Sequence, residues 1–272
     1  MRRESVYAMN LLALRPLDLP IVDCHGHLGQ YGLQHIPAGG SADALITMMD
    51  SLGISTLCLS SHLALSPDFR AGNRLAVEAA AEHPGRLAVY LVFNPTYPAA
   101  AGLEDLARNV GGPGVIGVKL HTTLHQAGAG DERFLPAYEF AREKGKMVLC
   151  HTWGVADIRG IEQMARRFPD VPILMGHSGG YEIPAMEEAM RVARENANAF
   201  LDLTLSGMFE GVVEAFVKGS GSEKVLFGSD MPFIDPRANL GRVVFARVPD
   251  VDKERILARN MRGLLDRVGF PA

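Results

Sequence analysis

Eight times along this chain a short β-rich run gives way to a longer stretch of helical periodicity, and no other feature constrains the fold as much. The pattern predicts strands over Ile21 to Cys24, Thr56 to Leu59, Leu87 to Phe93 and Val115 to Leu120. Four more are expected over Met147 to Cys150, Ile173 to Met175, Phe200 to Leu203 and Val225 to Phe227. Helices are expected from Ser41, a good N-cap, to Leu52, near Gly72 to His83, over Gly102 to Val110, and over Asp131 to Lys144, where Gly145 supplies a stop. The rest fall near Ala156 to Phe168, around Ile183 to Asn196, from Met208 to Lys218 and from Asp252 to Val268. Strand-then-helix units in series imply an α/β protein with a parallel sheet, and eight of them imply a single-domain (β/α)8 TIM barrel, regular or distorted. An open doubly wound sheet would need a glycine fingerprint after its first strand, and HGHLGQYG does not match GxGxxG.

The bulk properties agree with one barrel. Barrels of ~250 residues fold as a unit, so the 272 residues are read as one domain, with 1–19 as a leader segment into the fold. That segment has two arginines and a short apolar patch, but Glu4, Asn10, Arg15 and Asp18 interrupt it, and it lacks a secretory core with a cleavage site. No apolar run reaches the ~20 residues a membrane span needs. Acidic residues number 31 and basic residues 27, mixed along the chain with no basic stripe, which argues against nucleic acid and for a small-molecule partner. The three cysteines, Cys24, Cys58 and Cys150, fall in predicted strands and cannot all pair within one chain, so a reducing cytoplasm is the expected location.

Chemistry in such barrels gathers where the strands end and eight loops converge. Strand one ends in His25 and His27, strand four in Lys119 and His121, strand five in His151, strand six in His177 and strand eight in Asp230. Alternate side chains of a strand share a face, so His25 and His27 project together, and His121 joins Lys119 on the wall of a pocket as a substrate-binding candidate. Cys24 and Cys150, each one residue before a histidine, are expected to point away from the lumen. Taken singly, each histidine reads as a hydrogen-bonded structural residue. Taken jointly, imidazoles and a carboxylate buried at one end of a barrel need something to satisfy them, and a divalent cation does so directly. Nitrogen and carboxylate donors suit Zn²⁺ first, with Mn²⁺, Fe²⁺ or Ni²⁺ as alternatives. His62, Asn94, His125, Trp153 and Tyr181 are lesser pocket candidates, and His35, Phe69, Phe209, Met231 and Phe233 are available for apolar walls.

Together the motifs VDCHGH, GVKLHTT, VLCHTWG, ILMGHSGG and LFGSDMPF, at strands one, four, five, six and eight, resemble the amidohydrolase superfamily. The likeness is to its amidohydrolase-related branch of short TIM barrels, which contains metal-dependent hydrolases and decarboxylases, and it runs from about Ile21 to Asp235. It implies that His25, His27, His151 and Asp230 hold the metal. His177 then either binds a second ion or stays free to polarise substrate or shuttle a proton. Lys119 is either carboxylated, bridging two ions, or a structural or substrate-binding ammonium; carboxylation requires a depressed pKa. The implied reaction is hydrolysis of a small ester, lactone or amide by a water whose pKa the metal lowers from 15.7 toward ~7. Asp230 would accept the proton and His177 would hold the carbonyl. The alternative is non-oxidative decarboxylation of an aromatic or unsaturated carboxylic acid. Family decarboxylases often carry a longer insertion after strand one than the stretch following His27, and neither Arg159 nor Arg237 falls at a defensible position for gripping an acid, which favours hydrolysis. An idle barrel used only for binding is disfavoured because every expected ligand is present, and a homodimer is expected by analogy.

Overall fold

Eight parallel strands lie in chain order around one sheet: β1 (Ile21–Leu28), β2 (Ile54–Ser61), β3 (Leu87–Val92), β4 (Val115–His121), β5 (Met147–Trp153), β6 (Ile173–Gly179), β7 (Ala199–Asp202) and β8 (Val225–Leu226). The computed structural model describes residues 5–13, 15, 17–32, 35–204 and 209–271. The sheet turns back on itself just beyond β8: Cys24 N donates to the Phe227 carbonyl at 2.9 Å, Asp230 N to that of His25 at 2.8 Å, and His27 N to that of Met231 at 2.7 Å. The chain is therefore a (β/α)8 barrel, as the alternation requires.

The helices obey the local signals that announce them. Ser41 Oγ accepts from Ala44 N to open the helix Ala42–Leu52, and Gly53 closes it in the left-handed region at φ 71°. The helix expected over Asp131 to Lys144 is a 3₁₀ turn, Glu132–Phe134, followed by an α-helix, Leu135–Glu143. Pro136, in the first turn of that α-helix, has no N–H to bond backwards, so the two pieces stay distinct. The helix expected from Met208 begins at Val212, and Met208 lies outside the described residues. The closing helix is Asp250–Glu254 and Asn260–Arg267 joined by a π-helical turn, Arg255–Arg259. Short helices His62–Leu65 and Thr122–His125 prolong β2 and β4, and Val6–Leu12 docks on the closing helix through Tyr7 Oη, which donates to Glu254 at 2.9 Å. No helix among the described residues is long and apolar enough to cross a membrane.

Two apolar layers position the site. One lies between strands and helices, where Leu57, Leu91, Leu120, Val148, Cys150 and Met175 are buried. The other fills the lumen below the histidines with Val22, Cys58, Tyr90, Ile116, Leu149 and Leu174, and Met261, Leu264, Leu265 and Phe270 of the C-terminal segment pack against it. With its lower half filled, the barrel leaves only its upper end for chemistry.

Candidate active site and metal centre

Three side chains converge at the seam where the barrel closes. His27 Nε2 lies 2.9 Å from Asp230 Oδ1, His25 Nε2 lies 3.9 Å from the same oxygen, and the three residues offer donor atoms all within 4.8 Å of one another. Pairing between β1 and β2 slips between Asp23 and Gly26, so strict alternation fails there. The slip explains why Cys24 departs from expectation: it packs in the luminal cluster, with its thiol 3.6 Å from Asp202 Oδ1. Cys150, which precedes the slip between His151 and Trp153 in the β5–β6 pairing, does face the helices. Asp230 and His177 occupy the left-handed region at φ 64° and 65°, costly for non-glycine residues and often found where side-chain aim matters. At Gly176 a Cβ would come within 3.0 Å of the Cys150 carbonyl and 3.4 Å of the His25 ring, so only glycine lets that ring lie against β6.

Four histidines of the site are held by Nδ1. His25 Nδ1 lies 2.6 Å from Asp202 Oδ2, His27 Nδ1 3.2 Å from Ser60 Oγ, His151 Nδ1 3.0 Å from Thr122 Oγ1, and His177 Nδ1 3.2 Å from the Thr204 carbonyl. Outer partners of this kind fix ring orientation and leave Nε2 for the working side of a site. Lys119 reaches across to put its ammonium 2.8 Å from His25 Nε2. Burial drives the imidazoles toward neutrality: His27 and His177 fall to about 4, and His121 and His151 lie well below the usual histidine range. Burial likewise lowers Lys119 to about 8. For Asp230 burial opposes the charge, but the hydrogen bond from His27 and the nearby rings of His25 and His177 outweigh it and hold the carboxyl well below the carboxylate range.

These residues fit a divalent ion. Two imidazoles and a carboxylate are a donor set that binds Zn²⁺ or Mn²⁺, and the cluster already draws one cation, the Lys119 ammonium, onto a histidine lone pair. His25 cannot give that lone pair to both, so an ion bound by His25 Nε2 displaces the lysine contact.

Of the expected residues, His27, Lys119, His121, His151, His177 and Asp230 line one cavity of about 370 Å³, whereas His25, fully buried, is not on its wall. His121 stacks on His151 with ring centroids 4.1 Å apart, and His151 lies 4.7 Å from His177. Of the lesser candidates, His62 and Trp153 line the cavity, and Tyr181 is an exposed neighbour of Trp153. Phe233 is a wall residue as expected, whereas Tyr31, Leu65, Thr123 and Leu124 are walls that strand periodicity does not reveal. Arg159 and Arg237 pair instead with Glu188 and Asp235. Asp202 is the largest omission from the sequence-derived set, a fully buried carboxylate at the end of β7.

The amidohydrolase family model matches residues 22–267. The chain belongs to the amidohydrolase family. Among solved structures, this amidohydrolase-family chain resembles a 2,6-dihydroxybenzoate decarboxylase from Rhizobium at TM-score 0.70 and 16% identity, over 92% of this chain and 100% of that one. A probable 2-pyrone-4,6-dicarboxylic acid hydrolase from Acinetobacter baumannii matches at TM-score 0.64 and 14% identity, over 91% and 100% of the two chains. A 5-carboxyvanillate decarboxylase from Novosphingobium aromaticivorans, complexed with manganese, matches at TM-score 0.68 and 12% identity, over 92% and 96%. No curated protein matches the sequence. The solved structures that share the fold include both decarboxylases and a probable hydrolase.

Proposed function

We propose that the chain is a metal-dependent hydrolase of a small ester, lactone or amide. The observation that carries this reading is the Asp230 carboxylate, pinned by His27 at 2.9 Å beside His25 and facing the cavity. The ion, Zn²⁺ by preference or Mn²⁺, when bound supplies the Lewis acidity that makes water nucleophilic near neutral pH. Asp230 accepts the attacking water's proton at its carboxylate and returns it to the leaving group. His177 donates Nδ1–H to the Thr204 carbonyl, so its Nε2 is an acceptor. It therefore serves better as a proton acceptor or a ligand than as a donor to the scissile carbonyl. That donor role passes to Lys119, whose ammonium lines the same cavity. Leu65, Leu124, Trp153 and Phe233 exclude water around a compact substrate.

The second reading, non-oxidative decarboxylation of a small aromatic or unsaturated carboxylic acid, draws support from the solved decarboxylases that share the fold. A panel of lactones, esters and amides set beside aromatic carboxylic acids separates the two. Hydrolysis that needs added metal and falls ~10²–10⁴-fold in Asp230→Asn supports the first reading, a magnitude usual for loss of a positioned acid–base group. Release of CO₂ with no hydrolysis of any panel member replaces it with the second.

A further inference from the structure

Asp157 lies in the first turn of the helix Gly154–Arg167, and each of its carboxylate oxygens receives a backbone N–H: Oδ1 accepts from Ala129 N at 3.0 Å and Oδ2 from Trp153 N at 2.9 Å. Oδ2 also lies 2.9 Å from the hydroxyl of Thr122. That hydroxyl is 3.2 Å from the His151 carbonyl and 3.0 Å from His151 Nδ1. Asp157 and Thr122 are buried, at 8% and 5% exposure, so their polar atoms must satisfy one another.

A threonine hydroxyl carries one hydrogen, and a carboxylate or carbonyl oxygen can only accept. Whether the hydrogen goes to Asp157 or to the His151 carbonyl, none is left for Nδ1. Turning it to Nδ1 instead would leave Thr122 Oγ1 at 2.9 Å from an acceptor-only oxygen with no hydrogen between them. The remaining arrangement has Nδ1–H donating to Thr122 Oγ1. We infer that Asp157 and Thr122 are positioning residues that lock His151 into its Nδ1–H tautomer, reserving the Nε2 lone pair for the cavity. His25 gets the same result from a carboxylate in direct contact, and His151 gets it through a hydroxyl relay joining the segments that follow β4 and β5. The inference rests on the proposed function only in treating His151 Nε2 as a working nitrogen.

The test is the nitrogen spectrum of His151 in the full-length, metal-stripped chain labelled with ¹⁵N-histidine, its signals assigned by their loss in His151→Gln. The wild type and Thr122→Ser should both show a protonated Nδ1 and a lone-pair Nε2. Thr122→Val, which keeps the shape and removes the acceptor, should shift His151 toward the Nε2–H tautomer. It should also weaken Zn²⁺ or Mn²⁺ binding ~10–100-fold in chelator competition, the cost usual for losing an outer partner of a ligand, with Thr122→Ser restoring it. An Nε2–H tautomer in the wild type, or a Thr122→Val protein unchanged in both tautomer and affinity, overturns the inference. If Thr122→Val does not fold, the wild-type spectrum still decides. A chain that shows the Nδ1–H tautomer yet binds neither ion upholds the relay while removing the metal-dependent reading.

Discussion

Asp202 is fully buried at the end of β7, and its carboxylate is divided between two tasks. Oδ2 faces His25 Nδ1 at 2.6 Å and accepts from His177 N at 3.3 Å, while Oδ1 accepts from Thr204 N at 2.8 Å and from its hydroxyl at 2.6 Å. Burial alone would raise its pKa, but the electrostatic pull and hydrogen bond of the His25 ring overcome this and bring it down to about 2. An asparagine there presents an NH₂ to one of these donors, so Asp202→Asn should lower Zn²⁺ or Mn²⁺ affinity ~10–100-fold in chelator competition. Unchanged affinity would mean that His25 needs no orienting partner. The ligand-type residues were legible in the sequence because strand parity fixes which side chains share a face, as with Lys119 and His121. Asp202 was not, since a carboxylate near the end of a four-residue strand carries no repeat or spacing to single it out. Cys24 departs from parity for the opposite reason: a bulge that only three-dimensional pairing reveals interrupts the alternation of β1.

The helix pair Gly154–Arg167 and Ile183–Glu195 is tied together on its outer face by two guanidiniums, Arg159, which reaches Glu188 at 3.3 Å, and Arg191, which makes most of the bonds. Arg191 donates to both oxygens of Glu162 at 2.9 and 2.8 Å, to Glu188 at 2.9 and 3.0 Å, and to Glu195 at 2.6 Å. Its hydrogen bonds hold Glu162 and Glu188 below the usual carboxylate range. Because these folded-state values lie below the unfolded ~4.3, the stabilisation is complete above that pH and fades as pH falls through the lowered values. Arg191→Gln should therefore cost roughly 0.5–1 kcal/mol in denaturant unfolding at pH 7, as surface networks of good geometry do. The difference should shrink toward pH 3 and in high salt. A difference independent of both would show that the arginine acts by packing its stem. Helices of this length are visible in sequence through their amphipathic period. His62–Leu65 and Thr122–His125, of four residues each, are shorter than the period needs and stay hidden.

At the scale of the whole molecule, the candidate metal centre and the closure of the barrel are one feature. His25 and His27 belong to the first strand, and Asp230 follows the last by four residues, on the segment that bonds to β1 through Phe227, Asp230 and Met231. Asp23 adds a side-chain tie across the same seam, its Oδ1 accepting from Ser229 N at 3.1 Å. An ion held by all three ligands joins parts of the chain some two hundred residues apart, so its binding energy becomes barrel stability. At free metal near 100 times its dissociation constant the gain is about 2.7 kcal/mol, or roughly 5–10 °C in melting temperature for a domain of this size. Thermal unfolding with and without Zn²⁺ or Mn²⁺ should show that shift, and chelation should reverse it. Hydrogen exchange adds the location: the amides of Cys24, His27 and Asp230 should be protected by metal more than those of β3 and β4, which lie across the barrel. In His27→Ala both the shift and the seam protection should disappear. A melting shift that survives in that variant places the ion elsewhere in the molecule and separates barrel closure from the chemistry.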